Sequence, residues 1–217
     1  MLILLFKILS YFCIVKLIRN IIFDIGNVLL NFKPEQFLKR FINDEFRIKE
    51  FITNVIKTEL WLSLDRGIIS LQEARNEYLE RYPEESNLIL TFFNNWKEML
   101  TPIPQNIQIL RELKPNDYRI YFLSNYITEA FDYVQDRYEF FALADGKVIS
   151  SEIKYVKPEA KIYQYLLEKY NLIPIHCVFI DDVESNLHEA HSLKMKTIHY
   201  LKDTDLRSEL RKLNVNI

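Results

Sequence analysis

Three apolar runs, Asn20–Phe23, Arg119–Leu123 and Cys177–Ile180, each stop abruptly at polar residues: Asp24, then Ser124-Asn125, then Asp181-Asp182. Short β-branched and aromatic runs bounded in this way read as buried strands. Helical patterns lie between and after them, over Gln105–Leu113, Thr128–Arg137, a segment through Tyr170 with Pro158 in its first turn, Glu184–Leu193 and Asp205–Leu213. Two further short strands are expected at Lys147–Ser150 and Thr197–Leu201. Strands that alternate with helices predict a Rossmann-like, doubly wound parallel α/β sheet, and parallel strands deliver their ends to one edge. Ligands of open α/β sheets bind in the crevice outside those carboxyl ends. The polar residues therefore gather where chemistry is done.

Between Lys33 and about Thr101 the pattern changes to helical spacing, with Phe37/Phe41 and Leu60/Leu64 at i,i+4 and no alternating strand. This predicts a small α-helical cap over 33–101 inserted into an α/β core made of 17–32 and 102–217. Within it, Gly67 is expected to end one helix and Ser70, three residues before Glu73, to cap the next. Trp61 and Trp96 read as core aromatics of the insert.

Residues 1–16 form an apolar extension broken by Lys7 and Ser10, shorter than the roughly 20 residues a spanning helix needs. We read it as an appendage outside the functional fold, not as an anchor. With 28 Lys+Arg against 30 Asp+Glu the net charge is −2, which offers nothing to nucleic acid or an acidic membrane. Cys13 and Cys177 are too few and too far apart for a disulfide framework or a zinc site, which suits reduced thiols and a cytoplasmic protein, monomeric or homodimeric. His188 and His191 lack a third ligand on their helix face, and no histidine is assigned a catalytic role. Gly26, Gly67 and Gly146 are the only glycines where average usage would give roughly fifteen, so each is expected to mark backbone that tolerates little else.

Carboxylates brought together at one sheet edge repel and lose water, so they either hold protons or share a divalent cation. An all-oxygen set suits Mg²⁺ with water and phosphate completing its shell. The Ser124 hydroxyl, the Asn125 amide and the Lys157 ammonium then supply donors and positive charge for a phosphoryl group. Taken singly, these residues are also ordinary helix caps or solvated charges. Their recurrence at successive strand ends is what capping leaves unexplained.

Phe23-Asp24-Ile25-Gly26-Asn27-Val28, Phe122-Leu123-Ser124-Asn125, Tyr155-Val156-Lys157-Pro158-Glu159 and Phe179-Ile180-Asp181-Asp182-Val183-Glu184-Ser185-Asn186 stand in the order of the four motifs of the haloacid dehalogenase superfamily. From about Leu17 to its end the chain resembles the branch of that superfamily with a helical cap after the first motif. It looks closest to sugar-phosphate phosphatases similar to bacterial α-D-glucose-1-phosphate phosphatase, through Arg66–Ser70 and Lys157–Ala160. The resemblance implies a Mg²⁺-dependent phosphatase acting on a small phosphorylated metabolite, a sugar phosphate. Asp24 would form an aspartyl-phosphate, and Asp24, the Gly26 carbonyl, Asp182 and Asp181 would hold Mg²⁺ with support from Asn186. Ser124 and the Asn125 backbone would hold phosphate oxygens, Lys157 would neutralise charge, and Asn27 and Arg66 would face the substrate. The departure is Gly26, where most phosphatases of the family carry the acid–base Asp. That glycine keeps two alternatives open: a metal-independent haloacid dehalogenase, and a catalytically weakened phospho-ligand binding protein.

Overall fold

The computed structural model describes residues 17–217, and the apolar extension and Cys13 lie outside the described residues. Five parallel strands form the sheet: β1 Asn20–Phe23, β2 Arg119–Ser124, β3 Gly146–Ile149, β4 Cys177–Asp181 and β5 Lys196–His199, in the spatial order β3-β2-β1-β4-β5. Sequence and structure agree on all five, within a residue or two at the ends. The chain moves from β1 outward to β2 and β3, then crosses back to β4 and β5 on the other side. The order reverses between β1 and β4, and the crevice of a doubly wound sheet opens at that point.

Period-two alternation divides the strand residues between two layers. Ile21, Phe23, Ile120, Phe122, Val178 and Ile180 pack to one side, in a cluster continuous with the helical insert. Ile22, Tyr121, Leu123, Cys177 and Phe179 pack to the other, against Ile162, Tyr163, Leu166 and Leu187. Both faces are covered, which is why the strands read as unbroken apolar runs. Phe23 pairs in register with Phe122 on one side and with Ile180 on the other, so the residues after all three reach the same edge together.

The insert is helical throughout its length, with helices at Pro34–Leu38, Glu45–Phe51, Glu59–Asp65, Leu71–Arg81 and Ser86–Asn95. Asp44, Thr58 and Ser70 cap three of them through their side-chain oxygens. Ser70 and Glu73 form a reciprocal capping box, as the sequence predicts. Aromatic rings fill its centre: Trp61 and Trp96 meet edge to face at 5.8 Å, and Phe92 lies 6.3 Å from Trp96 in a stacked arrangement. Both tryptophans are buried, in line with their reading as core aromatics.

Two expectations need correction. Pro158 does not sit in the first turn of a helix; that helix begins at Ala160, and Lys157-Pro158 form a turn before it through a cis peptide. The cause is Asn125, whose side chain accepts from the Lys157 N–H at 2.7 Å and donates to the Lys157 carbonyl at 3.0 Å, holding this residue out of helical bonding. The second concerns the glycines. Gly67 has φ +67°, and a Cβ there would lie 2.6 Å from the Ser151 carbonyl oxygen; at Gly146 a Cβ would meet the Tyr170 ring at 2.3 Å. Gly26 is different. A Cβ there would meet only Asp24 Oδ2, at 3.8 Å, so the backbone tolerates a side chain at the position where the family motif carries one.

Candidate active site

The strand ends bring Asp24, Ser124, Asp181 and Lys157 into one hydrogen-bonded cluster. Lys157, only 4% exposed, donates to Asp24 Oδ1 at 2.7 Å and to Asp181 Oδ2 at 2.6 Å. The Ser124 hydroxyl donates to the same Asp24 Oδ1 at 2.6 Å. One oxygen of Asp24 is therefore doubly held, while Oδ2 accepts no hydrogen bond among the described residues. Asp181 is fully buried and engaged on both oxygens, by Lys157, the Val183 N–H and the Asn186 amide. Asp182 leans into the crevice, with Oδ2 held by the Asn27 amide at 3.0 Å. Asn27 adopts φ 50° and accepts from the Phe32 N–H through its other end, so both ends of its amide are engaged.

One carboxylate oxygen from each of Asp24, Asp181 and Asp182 lies within 4.8 Å of the others. Three carboxylates facing one ammonium leave an excess of negative charge in a dry place. Burial pushes the Asp24 carboxyl up to about 7, with Lys157 opposing and Asp181 and Asp182 adding to the rise. Burial also raises Asp182, against the Asn27 hydrogen bond. Lys157 stays charged, because Asp181 and Asp24 outweigh the burial that opposes its charge. A divalent cation relieves this arrangement, and the all-oxygen donor set fits Mg²⁺.

The cluster forms the floor of a cavity of about 220 Å³. Asp24, Gly26, Asn27, Asn125, Lys157, Asp182 and Asn186 all line it. Ser124 and Asp181 stand behind them, against Asp24 and Lys157. Apolar side chains make up much of the remaining lining, Phe32, Trp61, Trp96, Leu100 and Ile127 among them, together with Asn31, Asp65 and Tyr126.

Arg66 is placed differently from the expectation that it faces the substrate. It is absent from the lining and pairs in bidentate fashion with Glu159, at 2.7 and 3.1 Å, while also donating to the Lys154 carbonyl at 3.2 Å. The guanidinium fork matches a carboxylate in plane, so Arg66 fastens the insert to the segment that carries Lys157. Its neighbour Asp65, missed by sequence reasoning, lines the cavity instead. A signal existed: Asp65 is the last residue of the helix Glu59–Asp65, where the helix dipole disfavours an acid. Tyr126 was missed as well. It lines the cavity with a buried hydroxyl that has no hydrogen-bond partner.

A family model described as haloacid dehalogenase-like hydrolase matches residues 18–187, and the chain belongs to that family. It is an enzyme of the hydrolase class. Among curated proteins it is similar to a sesquiterpene phosphatase of Aspergillus oryzae, 24% identical over 192 residues that cover 88% of this chain and 94% of the relative. It is also similar to the D-ribitol-5-phosphate phosphatase of Bacteroides thetaiotaomicron, 23% identical over 89% of this chain and 97% of the relative. Among solved structures, a haloacid dehalogenase family enzyme of the same bacterium, in complex with magnesium and inorganic phosphate, superimposes with a TM-score of 0.70. That match is 23% identical and covers 89% of this chain and all of the other. It shows the fold.

Proposed function

We propose that this hydrolase is a phosphoric monoester hydrolase that uses Mg²⁺ and an aspartyl-phosphate on Asp24 to release phosphate from a small phosphorylated metabolite. The observation that carries this reading is the convergence of Asp24, Lys157 and the Asp181-Asp182 pair at the switch point of the sheet, with Asp24 Oδ2 uncommitted. A nucleophile needs a free lone pair and a fixed orientation. Ser124 and Lys157 provide the orientation by holding Oδ1, which leaves Oδ2 to approach phosphorus. Asp24, Asp182 and Asp181 would hold Mg²⁺, together with the Gly26 carbonyl that the family resemblance implies. Bound there, the cation supplies charge neutralisation to the phosphoryl oxygens. Lys157 places an ammonium beside the attacking carboxylate, so that repulsion between Asp24 and a phosphate dianion is reduced. Asn125 contributes by clamping the Lys157 backbone, and Asn27 by orienting Asp182.

The resemblance points to a sugar phosphate, and one relative acts on ribitol 5-phosphate. The apolar part of the lining favours a second class. Phe32, Trp61, Trp96 and Leu100 offer a run of apolar faces, which suits an ester with an apolar body, such as a prenyl or aryl phosphate. An assay of phosphate release from both classes, with and without Mg²⁺, tests the proposal. Metal-dependent release that disappears in Asp24→Asn is the expected result. Halide release from a 2-haloacid without metal would instead establish the dehalogenase, whose chemistry needs no carboxylate pair. Saturable binding of a phosphate ester with no turnover would establish the binding protein.

A further inference from the structure

Gly26 leaves the floor without a group that can donate a proton to a departing alkoxide. The cavity supplies the means to find its replacement by elimination. Asn27 is engaged at both ends of its amide, Asn125 is committed to the Lys157 backbone, and Asn186 to Asp181. Lys157 is locked between two carboxylates. Asn31 is bonded to Thr101, and the unpartnered Trp96 indole N–H is too weak an acid to serve; the lining carboxyl without a hydrogen-bond partner among the described residues is that of Asp65 from the insert, which shares the lining with the unpartnered Tyr126 hydroxyl.

On the phosphatase reading above, we propose that Asp65 is the acid–base residue of this enzyme, supplied by the helical insert in place of the side chain missing at Gly26. As Asp24 Oδ2 bonds to phosphorus, the bond from phosphorus to the ester oxygen breaks. Its electron pair goes to that oxygen, which takes the proton of the Asp65 carboxyl. The alcohol departs and Asp65 is left as carboxylate. A water then attacks phosphorus and gives a proton to Asp65, the Asp24–phosphorus bond breaks with its pair returning to Asp24, and inorganic phosphate leaves. Both carboxyl groups end as they began.

Three observations support the assignment. The first is location: Asp65 shares one cavity of about 220 Å³ with Asp24 and Lys157. The second is rigidity. The Ser150 hydroxyl donates to the Asp65 carbonyl and accepts from the Tyr126 N–H, Arg66 is forked onto Glu159, and Lys154 donates to the Gly67 carbonyl. The turn that carries Asp65 is thus tied to the core on three sides, so a residue of the insert is positioned as firmly as one of the core. The third is chemical. No donor hydrogen-bonds the Asp65 carboxyl among the described residues, and burial pushes it up to about 7, with Lys157 opposing and Asp24 adding to the rise. Such a group can both give and take a proton near neutrality. Burial holds the neighbouring Tyr126 hydroxyl in its neutral form, and the charges of Asp24 and Asp65 add to that.

The test uses two Mg²⁺-supplemented substrates, p-nitrophenyl phosphate and phenethyl phosphate, with wild type, Asp65→Asn, Gly26→Asp and the double variant. The aryl ester leaves without an acid, whereas the alkyl ester does not. Asp65→Asn is expected to lower kcat on the alkyl ester by about 10²–10⁴-fold. On the aryl ester the same variant should still release one equivalent of nitrophenolate per site in a burst, followed by slow turnover as the aspartyl-phosphate waits for its base. At Gly26 a Cβ meets only Asp24 Oδ2, at 3.8 Å, so Gly26→Asp in the double variant should restore turnover of the alkyl ester. Equal losses on both esters without a burst, or no rescue by Gly26→Asp in a variant that melts like wild type, would overturn the role of Asp65. So would an Asp65→Asn enzyme as active as wild type. Wild-type protein inert toward every phosphate ester would instead sink the phosphatase reading, and the role with it.

Discussion

The charged side of the cavity consists of Asp24, Asp182 and Lys157, backed by Asp181 and Ser124, nearly every one tied to a neighbour by a hydrogen bond of 2.6 to 3.1 Å. The roof is Trp61 and Trp96 with Phe32 and Leu100, joined through ring contacts near 6 Å, and the Trp96 indole N–H is buried without a partner. The two surfaces line one substrate-sized space, yet they obey different physics. Buried charges are costly unless paired, so a floor of this kind admits few substitutions. Aromatic packing is weakly directional and accommodates exchange of one ring for another, so the roof is free to change with the substrate. Asp65 breaks the division, being a floor-type residue carried by the roof.

The comparison can be broken most forcefully at Lys157. Lys157→Met leaves Asp24 and Asp181 as neighbouring buried carboxylates with no counter-charge, and should cost about 3–5 kcal/mol of stability in metal-free buffer. Denaturant titration measures this, and added Mg²⁺ should recover more stability in the variant than in wild type. A variant as stable as wild type would mean that the floor is not electrostatically closed. The join between floor and roof is next. Gly67→Ala places a Cβ in the left-handed region and 2.6 Å from the Ser151 carbonyl, costing about 1–2 kcal/mol for the backbone conformation alone. It should lower kcat by displacing the turn while calorimetric Mg²⁺ affinity stays put; a parallel fall in Mg²⁺ affinity would show that floor and roof are not separable. The smallest effect is expected at the roof itself. Trp96→Phe removes an indole N–H that has no hydrogen bond, so stability should change little. The preference between apolar and sugar phosphates, read as a ratio of kcat/KM values, should shift by about tenfold. An unchanged ratio would place the leaving group elsewhere.

Among the described residues no helix is long and apolar enough to cross a membrane. The site was legible in the sequence to the extent that it lies at strand ends. An apolar run that stops at Asp24, at Ser124 or at Asp181 announces both the strand and the edge it reaches, because period and burial are local properties of the chain. The Gly67–Ser70 turn was legible for the same reason, since left-handed backbone and a capping box are settled within a few residues. Arg66 and Asp65 show where local reading stops. Both precede the same glycine and both are charged; the acid at a helix C-terminus marks Asp65 as unusual, but where either side chain goes is not a local property. Glu159 and Lys154, more than eighty positions away, draw Arg66 to the core surface and leave Asp65 on the cavity lining that it shares with Asp24.

By itself, then, the sequence determined the parallel sheet, the helical run between its first two strands, the polar strand ends and the glycine at position 26, all of them consequences of residue type and spacing. Only the tertiary structure decided which oxygen of Asp24 is free, that Asn125 clamps a loop, that Pro158 precedes its helix, and that Asp65 of the insert lines the same cavity as Asp24. These depend on contacts between segments far apart in the chain, whose energies exist only once the sheet has brought them together.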